Sequence, residues 1–71
     1  MVEFNTLKTM LEKNGELMLC LDNGEKIELH KHNVTFDETT KEIKVDAGNE
    51  TIWIPTEKIA YYKIHKEGFE K

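Results

Sequence analysis

The chain of 71 residues contains no arginine, no serine and no glutamine. All 10 of its basic residues are therefore lysines. Lysine presents a point charge, whereas arginine presents a planar fork that binds phosphates and base edges in a bidentate manner. Any contact with a nucleic acid must therefore use lysine charges, amides, hydroxyls, backbone groups and rings. The net charge of −4 argues against a surface that is basic all over.

Cysteine is almost absent as well. Cys20 stands alone, which excludes an internal disulfide and a metal cluster built on cysteines, and its apolar setting favours a reducing compartment. The chain also lacks a leader-like segment and any apolar run of membrane-spanning length. These absences predict a soluble, cytoplasmic protein with no membrane association. The length predicts a single domain, residues 1–71, with one small core.

The apolar residues of the first segment recur with helical spacing. Residues 2–13 are predicted to form a helix with Asn5 or Thr6 as its cap, and the Asn14-Gly15 pair ends it. The stripe that faces the core consists of Val2, Leu7, Met10 and Leu11. A helix this short is expected to fold only by packing against the rest of the domain.

After Gly15 the apolar residues alternate, which is typical of strands. Asn23-Gly24 predicts a two-residue type I′ hairpin, in which both residues have φ above zero. The second strand is expected to be long and bent near His32-Asn33. Turns at 37–41 and 47–49 and a stop at Pro55 give five short strands joined by local links. We therefore predict a mainly β domain: the helix, a strongly bent five-stranded antiparallel barrel over 16–65, and a tail over 66–71.

Three segments of this sequence together resemble a known family. "LDNGEKIEL" is similar to its first hairpin, "FDETTKEIKV" to its next turn and third strand, and "ETIWIPTEKIAYYKI" to its last two strands. The order and spacing of these segments over residues 4–65 resemble the Sm-like (SH3-like barrel) fold. Within that fold they resemble the RNA chaperone Hfq and its archaeal relatives.

The resemblance implies a function without chemistry. It implies a homo-oligomeric ring, expected as a hexamer, that binds single-stranded RNA as an RNA chaperone, with neither a cofactor nor a metal. The hairpin face of the ring would contact RNA through Gly24, Lys26 and Ile27. The turn face would use Asp37, Thr39, Thr56 and Lys58, beside Phe36.

The sequence departs from the family at positions that matter for RNA. The Lys-His pair that lines the family's pore is replaced by Thr56-Glu57, and Lys58 follows it. The family's arginine patch on the helix reads Leu11-Glu12-Lys13 here. A ring of Glu57 carboxylates would repel phosphate. RNA binding is therefore expected to be weaker than is usual in the family and to depend mainly on the hairpin face.

Other interpretations remain open. The acidic balance and the missing Lys-His pair favour an SH3-like adaptor that binds proteins and not RNA. A metal-binding regulator would use His30, His32 and His65, although exposed histidines are the simpler expectation. Trp53 and Tyr62 are expected to pack in the barrel and at subunit contacts. Catalysis is not expected, because Cys20 lies among leucines and no base is evident nearby.

Overall fold

A computed structural model describes residues 2–64 of the chain. One α-helix, α1, precedes six strands and two short 3-10 turns. The helix spans Phe4–Asn14, and the 3-10 turns span Lys31–Asn33 and Thr56–Lys58. The strands are β1 (Glu16–Leu21), β2 (Lys26–His30), β3 (Val34–Asp37), β4 (Glu42–Asp46), β5 (Thr51–Pro55) and β6 (Ile59–Lys63).

The helix predicted over 2–13 spans Phe4–Asn14, but its capping residue differs from the prediction. Its N-cap is Glu3, which makes no side-chain capping bond, so the prediction of Asn5 or Thr6 as the cap was wrong. The reason is Phe4, which is buried with Leu7 and Leu11 and therefore belongs to the helical stripe. Among residues 2–64, no helix has the length and apolar character needed to cross a membrane.

The strands form two antiparallel sheets, ordered β2-β1-β6 and β3-β4-β5. An N-terminal helix followed by antiparallel strands confirms the predicted mainly β character. The predicted count of five strands was wrong, because the turn at Lys31–Asn33 divides the long second strand into β2 and β3. The Asn33 side chain accepts a hydrogen bond from the backbone N–H of His30 at 3.0 Å, which fixes the break. The strands of residues 2–64 do not close into one barrel.

The first hairpin lies where the sequence predicts it, but its turn is of a different type. Gly24 has φ 95°, whereas Asn23 does not have positive φ, so the type I′ prediction was wrong. The N–H of Gly24 donates to the carbonyl of Leu21 at 3.0 Å, and the N–H of Leu21 donates to that of Glu25 at 2.8 Å. This pattern is typical of a type I turn closed by a left-handed glycine. Glu25 lengthens the loop, and Cys20 pairs with Lys26.

The core lies between the two sheets and under the helix. Phe4 contacts Phe36 edge to face, with ring centroids 5.4 Å apart. Val2 and Met10, which were predicted for the helical stripe, are partly buried against the same cluster. Its buried members come from the helix and five of the strands: Phe4, Leu7, Leu11, Leu17, Leu19, Leu29, Ile43, Val45, Ile54 and Ile59.

An ion pair ties the helix to the turn between β3 and β4. Lys8 donates a hydrogen bond to the Glu38 carboxylate. This bond lowers the pKa of Glu38, so the stabilisation is present at neutral pH and is lost as the pH falls through that lowered pKa. Both side chains are exposed, which keeps the contribution small. Lys41 adds a contact in the same turn, with its Nζ 5.2 Å from the centre of the Phe4 ring.

The end of the helix supplies a test of the backbone geometry. Gly15 has φ 84° and donates its N–H to the carbonyl of Leu11 at 2.8 Å. Gly15→Ala meets no steric clash but forces a left-handed conformation on alanine, so we expect a loss of about 1 kcal/mol in the free energy of unfolding. Urea unfolding measures it. Thr9→Ala, at an exposed position of the same helix, is the control and should be neutral or slightly stabilising. Equal losses in both variants would contradict this account.

Candidate nucleic-acid interface

An open groove of about 710 Å³ lies between the first hairpin and β5. We call it the hairpin groove. It is lined by residues of the β1–β2 hairpin, of β5 and of the turn before β6: Leu21, Asp22, Asn23, Glu25, Lys26, Ile27, Glu50, Ile52, Trp53, Ile54, Pro55 and Lys58. Three of the residues predicted to contact RNA, Lys26, Ile27 and Lys58, therefore meet in one place. Gly24 lies in the hairpin turn between two lining residues.

The strands determine which side chains face this groove. β1 and β2 are paired, with Leu19 opposite Ile27 and Cys20 opposite Lys26. The hairpin turn extends beyond the last of these pairs. The N–H of Asp22 then donates to the carbonyl of Lys58 at 2.9 Å. This backbone bond holds the Thr56–Lys58 turn against the hairpin. Lys58 therefore lines the hairpin groove together with Lys26, whereas the family resemblance groups it with Thr56 and Asp37 on the turn face.

The electrostatics of the hairpin groove are mixed. Lys26 and Lys58 offer two positive charges, whereas Asp22, Glu25 and Glu50 offer three negative ones. Isoleucines from both walls give the groove an apolar part. Such a surface suits a flat apolar group with a few polar contacts better than it suits a densely charged anion.

Trp53 is the residue of this groove that sequence reasoning assigned elsewhere. Its side chain is 56% exposed, so it does not pack in the core as predicted, and packing at a subunit contact stays a prediction. The Nζ of Lys44, from the neighbouring strand, lies 5.8 Å from the centre of its ring. The alternation of Trp53 with Ile52 and Ile54 could have indicated that Trp53 is exposed. Ile54 is buried, and neighbouring residues of a strand face opposite sides, so Trp53 must face outward. Tyr62 is half-buried against the core.

Of the other predicted turn-face residues, Thr56 lines a second groove, whereas Asp37 and Thr39 are not among the residues that line either groove. The Asp37 carboxylate accepts hydrogen bonds from the N–H groups of Thr39 and Thr40 at 2.9 and 3.2 Å, and these bonds stabilise the turn predicted at 37–41. Thr56 donates its hydroxyl to the carbonyl of Lys41. A second open groove of about 380 Å³ lies here. It is lined by Thr40, Lys41, Glu42, Pro55, Thr56 and Glu57.

Phe36 has a structural role in this chain. It lines a small cavity of about 130 Å³ beneath the helix, together with Lys8 and Leu11. Its ring meets that of Phe4, so its partly buried side chain contributes to helix docking. The structure therefore separates Phe36 from the other predicted contacts.

Two of the three histidines considered for metal binding, and Cys20, lie within the described residues. His30 ends β2 and His32 lies in the following turn, with the two rings stacked at 5.6 Å. His65, the third member of the hypothetical ligand set, lies outside the described residues. Cys20 is buried, and its side chain, opposite Tyr61 on the neighbouring strand, raises the pKa of that exposed tyrosine.

Comparisons of the chain with models of protein families, with curated proteins and with solved structures find no match. Ideas about what the grooves bind therefore depend on their geometry and on the sequence resemblance described above.

The aromatic contact beneath the helix provides a second test. Phe36→Leu and Phe4→Leu should each lower the free energy of unfolding, and their effects should not add. A double-mutant cycle by urea unfolding should give a coupling of about 0.5–1.5 kcal/mol, the usual value for an edge-to-face pair. Phe36→Leu combined with the distant Trp53→Leu should be additive. Additive effects of the two phenylalanine substitutions would contradict the docking role.

Proposed function

We propose that this chain is a subunit of an Sm-like homo-oligomeric ring, expected as a hexamer, that binds single-stranded RNA and acts on RNA structure without catalysing a reaction. The observation that carries the proposal is the hairpin groove, where Lys26, Ile27 and Lys58 meet beside an exposed tryptophan. The groove combines cationic, apolar and aromatic groups. This combination suits nucleotides of a flexible strand.

The sheet edges support the ring. β5 and β6 are terminal strands of their sheets, so each has one partner strand within residues 2–64. An unpaired edge is a template for another chain, and the sequence resemblance implies that these two strands pair between neighbours. Such a contact joins different surfaces of two copies. It generates a closed ring when repeating the rotation between neighbouring copies returns to the first copy. The exposed Ala60 and Tyr61 of β6 are then covered by the next subunit.

The proposed RNA contact is a stacking platform flanked by lysines. A base stacks on Trp53 with the Lys44 ammonium nearby, and Lys26 and Lys58 approach the phosphates. Each groove binds weakly, because Glu25 and Glu50 line the same surface. A ring presents several such grooves to one strand. Once one groove holds the strand, the other grooves meet it at a high effective concentration, which raises the overall affinity.

The hairpin groove also favours a second candidate, a protein-binding adaptor. Its acidic side chains outnumber its lysines, and its walls are apolar. A basic, partly apolar peptide segment complements such a surface. RNA binding distinguishes the two candidates directly, because the adaptor has no affinity for oligonucleotides at low salt.

Assembly is the first test of the proposal. Native mass spectrometry and sedimentation at micromolar concentration should give a ring of several chain masses. Tyr62→Asp should dissociate the ring, because Tyr62 lies on the edge strand β6 and partly packs on the core. Tyr62→Phe, which retains the aromatic side chain, is the control and should leave the mass of the oligomer unchanged. Circular dichroism separates dissociation from unfolding. A stable wild-type monomer would exclude the ring.

RNA binding is the second test. Labelled oligo-A and oligo-U should bind with an affinity that falls steeply with salt, and Lys26→Ala should weaken binding more than Thr56→Ala. Each phosphate contact that is lost should reduce the salt slope by about 0.7. The single tryptophan, Trp53, should be quenched on binding. Lys13→Ala, an exposed lysine on the helix, controls for the change in net charge.

The outcomes of this experiment separate the candidates. Tight oligo-U binding that Thr56→Ala abolishes, with Lys26→Ala silent, would move the site to the second groove, which Thr56 and Glu57 line. A complete lack of binding to either oligonucleotide at low salt would favour the adaptor.

A further inference from the structure

Three metal-ligating side chains converge at the end of the β2-β1-β6 sheet that lies away from the hairpin. Glu16 opens β1 and stands directly opposite His30 at the end of β2. Glu28 precedes His30 by two positions, so the pleat places both on the same face. The Nδ1 of His30 lies 3.6 Å from a Glu16 carboxylate oxygen, and the other ring nitrogen, Nε2, lies 3.9 Å from one of Glu28. A single ion binds one of these two nitrogens, so the carboxylate nearer the other nitrogen must rotate toward it.

The cluster is close to the size of a metal site. One potential ligand atom from each of the three residues lies within 4.8 Å of the others. Tetrahedral ligands about 2.0–2.2 Å from a zinc ion are roughly 3.3 Å apart, so the separations between the three groups must shorten by up to about 1.5 Å when an ion binds. Their side chains are between 35% and 49% exposed, which leaves room for this rotation, while the paired strands hold their backbones in place.

The surrounding charges favour a cation at this position. Among the ion pairs of residues 2–64, Glu16 and Glu28 each pair with His30 alone, whereas the adjacent Lys31 pairs with Glu12. Two carboxylates therefore share one imidazole. A donor set of one nitrogen and two oxygens suits zinc better than calcium or magnesium, which prefer oxygen alone.

We propose that Glu16, Glu28 and His30 bind one Zn²⁺ per chain, with water completing the coordination. This site differs from the three-histidine set suggested by the sequence, and it replaces the expectation that the chain binds no metal. His32 is not a ligand. It lies in the turn after β2, its ring stacks on that of His30 with 28° between the planes, and it does not belong to the cluster of ligand atoms within 4.8 Å of one another. The bound ion joins the start of β1 to the end of β2.

The test uses the full chain, purified without a histidine tag and stripped of metal with a chelator. Calorimetric titration with ZnCl₂ should show saturable binding of one ion per chain, and Zn²⁺ should raise the Tm because it binds the folded sheet. His30→Asn and Glu28→Gln should each weaken binding at least about tenfold. His32→Asn is the matched control and should change the affinity less than about twofold. Circular dichroism confirms that every variant is folded.

Two results would overturn the proposal. One is the absence of saturable binding by the wild-type chain. The other is an equal loss of affinity in His32→Asn and His30→Asn, since that would place the metal on the two histidines and not on the carboxylates. Substituting Co²⁺ provides an independent readout, because its visible spectrum should change in Glu28→Gln and stay the same in His32→Asn. A spectrum that is identical in wild type and Glu28→Gln also contradicts the assignment.

Discussion

The packing of the helix on the sheets is the interaction on which this fold depends. Two three-stranded sheets of such short strands have few residues with which to bury a core, and the chain has no disulfide to restrict its unfolded state. Phe4, Leu7 and Leu11 supply the missing apolar surface from one face of α1. The helix in turn is too short to be stable alone, so the helix and the sheets must form together.

The candidate interface is a consequence of how the sheets are arranged. The Lys31–Asn33 turn directs the chain from the first sheet into the second, and β5 of the second sheet then faces the hairpin of the first. A straight second strand would continue the first sheet and leave no hairpin groove. The residues that break the strand are therefore as important for the groove as the residues that line it.

Local chemistry predicts part of this arrangement well. Gly15 ends the helix, a turn forms at Asn23-Gly24, and Asp37 caps its own turn, because each depends on neighbours in the chain. The turn type at Asn23 and the capping residue of the helix, Glu3, escaped prediction. The first depends on one added loop residue, and the second on burial of Phe4 against Phe36, which is 32 positions away. The place of Lys58 likewise depends on a backbone bond to Asp22 that no local pattern indicates.

The chain passes between the two sheets only twice within residues 2–64, each time through a three-residue 3-10 turn. Each crossing is completed within three residues, so the strands on either side of it, β2 with β3 and β5 with β6, are closely linked along the chain. Thr56–Lys58 is one of these crossings, and its last residue lines the hairpin groove. An insertion or deletion in Thr56–Lys58 would therefore alter a wall of the groove and the connection between the two sheets at the same time.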